Sequence, residues 1–176
     1  REKDGINMVL KQIDSWQNKT TTKKGNIGEE IAKRYLEQKG FIVYQPNTPG
    51  GHPFDNLCAK DKNIFVAEIK TKEARKYYPD TGIDIRYYDK YLYVSRTYNM
   101  LVFIFFVDAA NAKIYGNELR KLIKPVTISG KTYPSKEKGI IYFPLVNMVT
   151  IALLSKEQCD EITSYSTKRY IGSMKI

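Results

Sequence analysis

Asp55, Glu68 and Lys70 are the residues whose types and spacing could do chemistry. Side chains alternate along a strand, so over Asn63 to Thr71 one face carries Ile64, Val66, Glu68 and Lys70, and the other Phe65, Ala67, Ile69 and Thr71. Both faces begin apolar, which predicts a central, buried strand. One face then changes to a carboxylate and an ammonium, and burying such groups is costly unless they pair or bind something. A strand that emerges from the core there would solvate the pair, and an isolated Glu-x-Lys needs no other explanation. This pair is not isolated. A preceding segment opens Pro53-Phe54-Asp55, and a turn at Lys60-Asp61-Lys62 joins the two as a hairpin. Antiparallel pairing puts the start of one strand beside the end of the next, so Asp55 would lie near Glu68 and Lys70. Two carboxylates suit a hard divalent cation such as magnesium, which polarises phosphoryl oxygens and lowers the pKa of bound water. Lys70 would orient that water and stabilise developing negative charge.

The elements that must position these residues are legible from periodicity. Asp4 can cap a first helix with Ile6, Val9, Leu10, Ile13 and Trp16 on one stripe. Gln17 to Asn26, polar and containing Lys19, Lys23 and Lys24, reads as a mobile basic linker. A stronger helix is expected from Ile27 to Lys39, stopping at Gly40, with Ile27, Ile31, Ala32, Tyr35 and Leu36 on its apolar face. Phe41 to Gln45 reads as a strand and Pro46 to Pro53 as a loop, followed by hairpin strands Phe54 to Ala59 and Asn63 to Lys70. Gly82 to Asn99 looks helical in its middle, and Met100 to Val107 is the clearest strand. Further along, Ala112 to Tyr115 and Ile140 to Phe143 read as strands and Glu118 to Ile123 as a short helix. Ser155 with Gln158 resembles a capping box for a last helix, Lys156 to Lys168. The expected fold class is α/β, a mixed central sheet flanked by helices. The expected division is an N-terminal helix and basic linker over 1–26, then one domain over 27–176, with a core at 27–107 and an extension at 108–176.

The motifs Pro53-Phe54-Asp55 and Ala67-Glu68-Ile69-Lys70, separated by a hairpin turn, resemble the PD-(D/E)XK nuclease signature. The helical segment Gly28-Glu29-Glu30-Ile31-Ala32-Lys33-Arg34-Tyr35-Leu36, ending Lys39-Gly40-Phe41, is similar to the first core helix of Holliday junction resolvase-like members. The likeness spans Gly25 to Val107, about half the chain. It implies a restriction-endonuclease-like core and metal-dependent phosphodiester hydrolysis. It also implies a metal set of Asp55, Glu68, Ile69 and Glu29 with Mg2+ as cofactor and Mn2+ as a substitute, and Asp55, Glu68, Lys70 and Glu29 as the catalytic group. Glu29 with Lys33 and Glu30 with Arg34 are also ordinary i,i+4 pairs, and Glu30 is read as structural.

The formal net charge of +10 favours a polyanionic partner. The expected partner is nucleic acid, DNA before RNA, with Lys72, Arg75, Lys76, Lys23 and Lys24 as phosphate contacts and a homodimer as a plausible assembly. Tyrosines interleave with cations after the signature, at Tyr77, Tyr78, Tyr87, Tyr88, Tyr91 and Tyr93, a pairing suited to stacking or equally to a core edge. His52 is the only histidine and reads as incidental; Gly50 and Gly51 would let its loop turn sharply. Cys58 and Cys159 lack metal-site spacing, which suggests a reducing compartment, cytoplasmic or nucleoid-associated. No apolar run reaches membrane-spanning length, and Arg1 reads as a processed, trimmed or excised start without a signal region. Two other readings stand beside the nuclease: a nucleic-acid-binding module that keeps the fold without cutting, and a protein-interaction domain.

Overall fold

The computed structural model describes residues 20–45 and 54–165. The expected Asp4 helix lies outside them, as does the whole Pro46 to Pro53 loop with His52. Helix α1 spans Thr20–Gln38 and leads into strand β1, Ile42–Tyr44. Strands β2 (Asn56–Lys60) and β3 (Asn63–Thr71) form the expected hairpin, with Asp61 at φ 53° in its turn. Strand β4 (Asp80–Asp84) precedes helix α2 (Ile85–Thr97), and strands β5 (Leu101–Asp108) and β6 (Lys113–Glu118) follow. The remainder comprises helix α3 (Leu119–Leu122), strands β7 (Val126–Ile128), β8 (Lys131–Tyr133), β9 (Ser135–Glu137), β10 (Ile140–Pro144) and β11 (Val149–Leu153), and helix α4 (Lys156–Ser164).

The main sheet runs β1-β2-β3-β5-β6-β11. Only β3 and β5 pair in parallel, with Glu68 beside Ile104 and Lys70 beside Phe106; the other pairs are antiparallel. The excursion through β4 and α2 supplies the crossover that a parallel pair requires. Alternation on β3 divides the core as its sequence predicts. Phe65, Ala67 and Ile69 pack with Ile31, Ala32 and Leu36 of α1 and Ile162 of α4. Val66 joins Val102, Ile104 and Phe106 under Tyr91 of α2, with Ile83, Ile141 and Phe143 of a second sheet, β4-β10-β9. Glu68 and Lys70 share the face of Val66 and so point toward α2.

One expectation needs correction. Residues 20–26 are helical, so Lys23 and Lys24 lie on α1 and not in a mobile linker. Tertiary contact overrides the weak helix propensity of this stretch: the Thr71 hydroxyl donates to the Gly25 carbonyl at 3.3 Å, and Lys24 pairs with Glu73 at 3.5 Å. Gly82 sits in β4, where an added Cβ would lie 2.3 Å from the Ile141 carbonyl; only a glycine permits this close pairing with β10. The helix fills the middle of the Gly82 to Asn99 stretch, as expected, beginning at Ile85 and capped by the Asp84 carboxylate accepting from the Arg86 amide at 2.9 Å. Helix α4 has the expected Ser155–Gln158 capping box and spans Lys156–Ser164, and residues 166–168 of the expected helix lie outside the described residues.

Gly28 sets how closely α1 approaches the sheet. A Cβ there would fall 1.9 Å from the Thr71 Oγ1 and 2.9 Å from its Cβ. Gly28→Ala is expected to destabilise the protein by about 1–3 kcal/mol through overpacking. Adding Thr71→Ala should recover part of the loss, as read from paired thermal melts; equal melting of Gly28→Ala and the parent would contradict the close approach.

Candidate active site

The hairpin register places Asn56 opposite Ala67, so the preceding Asp55 reaches the end of β3. Its Oδ2 accepts a hydrogen bond from the Ile69 amide at 2.9 Å, which fixes the carboxylate across the gap between strands. Glu68 is 1% exposed and paired with the Lys70 ammonium. Its other oxygen, Oε2, is buried with no hydrogen-bond partner among the described residues. Tyr91, one turn beyond Tyr87 on α2, sets its hydroxyl beside Glu68 and favours the charged carboxylate. Lys70 also lies over the Tyr87 ring, 5.2 Å from its centroid. Glu29 arrives from α1, where the close approach at Gly28 brings the helix against β3, and it is near enough to feel Asp55, Lys70 and Glu68. The structure thus brings together all four residues singled out as catalytic.

The electrostatics are those of crowded acids in a dry place. Burial, reinforced by Asp55, pushes Glu29 up to about 7 against the pull of Lys70. Burial and then Asp55 push Glu68 up to about 7 as well. Asp55 is also raised, by burial, although Lys70 and the Ile69 amide oppose the shift. Burial pulls Lys70 down, but Glu68, Asp55 and Glu29 together hold it above its ordinary value. Tyr91 is pushed up by burial and by Glu68, so it stays protonated and available as a donor.

These shifts carry a signed pH prediction. A carboxyl whose folded pKa exceeds its unfolded one contributes stability that is complete below the unfolded value and lost as pH rises through the folded one. For Glu68 and Glu29 the loss falls between about 4.5 and about 7. Metal-free protein should therefore lose stability across that window. Glu68→Gln should flatten the loss by on the order of 2 kcal/mol. Urea unfolding at pH 4.5 and pH 8 checks this; an identical pH slope in parent and variant would contradict the crowding of acids.

A divalent cation can be tested against the donor set. Carboxylate oxygens are the hard donors that magnesium takes, and the orphaned Glu68 Oε2 is a buried acceptor lacking a cation or donor. Among the described residues, no three His, Cys, Asp or Glu side chains stand close enough to hold a metal together as they are placed. Lys70 on Glu68 and the Ile69 amide on Asp55 occupy part of that donor set. The chemistry fits a divalent ion, and Glu68 would have to exchange its ammonium partner for it. Ile69 enters the site through its backbone.

The expected phosphate contacts divide differently. Lys72 Nζ donates to the Gly82 carbonyl at 2.8 Å, and burial, aided by Arg75, lowers its pKa. Arg75 grips the buried Asp80 through Nε and Nη2, both at 2.5 Å, and reaches Glu137 at 3.1 Å. The donors of both serve the fold in the free protein. Lys24 pairs with Glu73, Lys23 is half-buried, and Lys76 is exposed with its ammonium over Tyr77. Glu30 pairs with Arg34 at 2.7 Å, in the structural role expected of it. Tyr87 and Tyr91 are the site residues left unassigned by sequence reasoning. Their i,i+4 spacing on a helix following the signature was the available signal.

No protein-family model matches the chain. It is 38% identical over 52 residues to a UPF0102 protein of Syntrophomonas wolfei, covering 28% of this chain and 44% of that one. It is 30% identical over 63 residues to a UPF0102 protein of Bacteroides thetaiotaomicron, covering 35% of this chain and 52% of that one. The chain thus spans about half the length of the curated relatives it matches. Among solved structures it is similar to Hjc of Archaeoglobus fulgidus, a Holliday junction resolvase, with a TM-score of 0.50 at 11% identity over 70% of this chain and 90% of that one. The fold is that of the Holliday junction resolvase-like nucleases. No helix among the described residues is long and apolar enough to cross a membrane.

Proposed function

We propose that this protein is a divalent-cation-dependent endonuclease acting on DNA. The observation that carries the reading is the buried Glu68, with one oxygen on Lys70 and the other unpartnered, beside Asp55 and Glu29 on a resolvase-like fold. Asp55, Glu68, Glu29 and the Ile69 backbone would hold the cation, Mg2+ with Mn2+ as substitute. When bound, it supplies charge to the phosphoryl oxygens and acidity to water.

The remaining work falls to the chain. Lys70 stands at the mouth of the acid cluster, half-exposed, and can donate to an attacking water or to a phosphoryl oxygen gaining charge. Tyr91 steadies the Glu68 carboxylate from the side opposite solvent. The Ile69 amide orients Asp55 beside Glu68. The excess of cations over the chain favours encounter with a polyanion. Assembly as a homodimer belongs to the same proposal.

Incubation of the protein with supercoiled, branched and single-stranded DNA and a magnesium titration tests the reading. Cleavage should require the metal and should vanish in Asp55→Asn. Cutting that persists in Asp55→Asn would refute the assigned site. A second reading, a nucleic-acid-binding module that does not cut, is favoured by the closed Lys70–Glu68 pair and the absence of three converging ligands among the described residues. Tight, salt-sensitive binding without hydrolysis in any metal would select it.

A further inference from the structure

An apolar cleft of about 640 Å³ opens beside the acid cluster, and the nuclease fold itself gives it no task. Phe54, the residue directly before Asp55, lines it with Met100 and Val94. Tyr93 and Tyr98 line it too; their rings meet edge to face at 5.9 Å, yet they are 58% and 61% exposed. Asp89 and Lys90 stand at the rim. Large aromatic side chains left in water at a cleft lose burial that the core would have given them, so their position asks for an apolar, flat occupant.

The cleft is joined to the catalytic edge by one side chain. The Tyr87 ring lies under both Lys70, at 5.2 Å, and Lys90, at 5.6 Å. A cation, an aromatic face and a second cation therefore lead from the Glu68–Lys70 pair to the rim. Tyr87, Lys90 and Tyr93 follow one another around α2, and Phe54 is tied to the site through its neighbour Asp55, whose carboxylate the Ile69 amide holds. A phosphodiester chain placed at Lys70 and Lys90 would meet positive charge at both places and bring its next base to the tyrosines. Phosphate charge with a flat π-surface between matches the chemistry of a single nucleic acid strand, whose bases stack on aromatic faces without regard to sequence.

We infer that this cleft is a stacking site for an unpaired nucleobase next to the phosphate at the acid cluster. Duplex bases are already stacked and cannot enter it, so the substrate carries an unpaired segment at the cut. The inference rests on the nuclease reading for its ligand class, but binding measured without metal is independent of cleavage.

The test uses the full chain in EDTA with a 12-nucleotide single strand carrying 2-aminopurine, and a blunt duplex of equal length. Stacking quenches 2-aminopurine, so the parent should quench it and bind the single strand more tightly than the duplex. Tyr93→Ala/Tyr98→Ala should abolish the quenching and weaken single-strand binding by about 10-fold or more. Tyr93→Phe/Tyr98→Phe, which keeps both rings, should restore both. Because the two side chains are mostly exposed, a thermal melt should show the alanine variant folded; if it is not, Tyr98→Ala alone serves, with a partial loss expected. Equal quenching by parent and folded alanine variant overturns the inference, as does parent protein that prefers the duplex. Unaltered oligonucleotide binding with a changed sedimentation of the alanine variant would assign the cleft to a second copy of the chain, and also overturn it. Metal-dependent cutting by the parent without quenching sinks the stacking site alone, whereas quenching without cutting sinks the nuclease reading alone.

Discussion

Lys70→Met is expected to lower DNA cleavage by about 100- to 1000-fold while leaving DNA affinity within a few-fold of the parent. The rate estimate is the usual cost of removing one group that stabilises charge developing in a transition state. Affinity should survive because the ammonium is spent on Glu68 in the free protein and Lys70 is one of 29 lysines and arginines. The same substitution should move the acid cluster. Lys70 lowers the pKa of Glu68, Asp55 and Glu29, so its loss drives all three further up and more of each is protonated at neutral pH. The pH at which cleavage half-saturates should therefore rise in any residual activity. Single-turnover rates across pH 6 to 9, with filter binding in calcium, separate the two effects. A variant that cuts at the parental rate would remove Lys70 from the chemistry, and one that fails to bind would make ground-state binding its main role.

Asp80→Ala carries a large expected cost in stability, about 3–5 kcal/mol, because it removes at once the shared acceptor of a hydrogen-bonded ion-pair network. Asp80 is fully buried. It accepts two hydrogen bonds from Arg75 and one from the Tyr133 hydroxyl at 2.8 Å, with Lys131 at 3.8 Å. The Arg75 guanidinium is further stacked on Tyr142, 3.7 Å from its ring, and on Tyr78 at 4.3 Å. Removing the carboxylate strands a guanidinium and a phenol at once. For a chain of this size the melting temperature should fall by about 10 °C. Arg75→Ala should cost a similar amount, since it leaves the fully buried Asp80 carboxylate with only Tyr133 and the more distant Lys131, and a double-mutant cycle between the two should show strong coupling. Denaturant unfolding measures both. Additive effects would mean that the network is ornamental.

The hairpin, the mixed sheet and the convergence of Asp55 with Glu68 and Lys70 were readable in the sequence for a definite reason. Alternation on β3 forces Glu68 and Lys70 onto one face, and hairpin pairing forces Asp55 toward them. Those are local rules. What escaped was decided by distant contacts. Residues 20–26 look like a linker because threonine, glycine and asparagine are poor helix formers, and only Thr71 and Glu73 across the fold make them helical. Strand β4 was not legible because its partner, β10, lies more than 50 residues away. Arg75 and Lys72 resemble phosphate ligands in one dimension, and the acceptors that claim them, Asp80 and Gly82, become visible only once the loop after β3 folds back. The tyrosine-rich stretch likewise had two readings until α2 assigned Tyr91 to the core and Tyr93 to the surface.

The Asp80 knot also sets an order of events during synthesis. Asp55, Glu68 and Lys70 leave the ribosome early, and α2 follows them. The acceptor that fixes β4, and with it the start of α2, receives its last donor only when Tyr133 emerges, and β4 gains its neighbour only with β10. The frame around the acids is thus finished by the final third of the polypeptide. A nascent chain ending near residue 107 would carry every acid of the site without the brace that holds Tyr87 and Tyr91 over them.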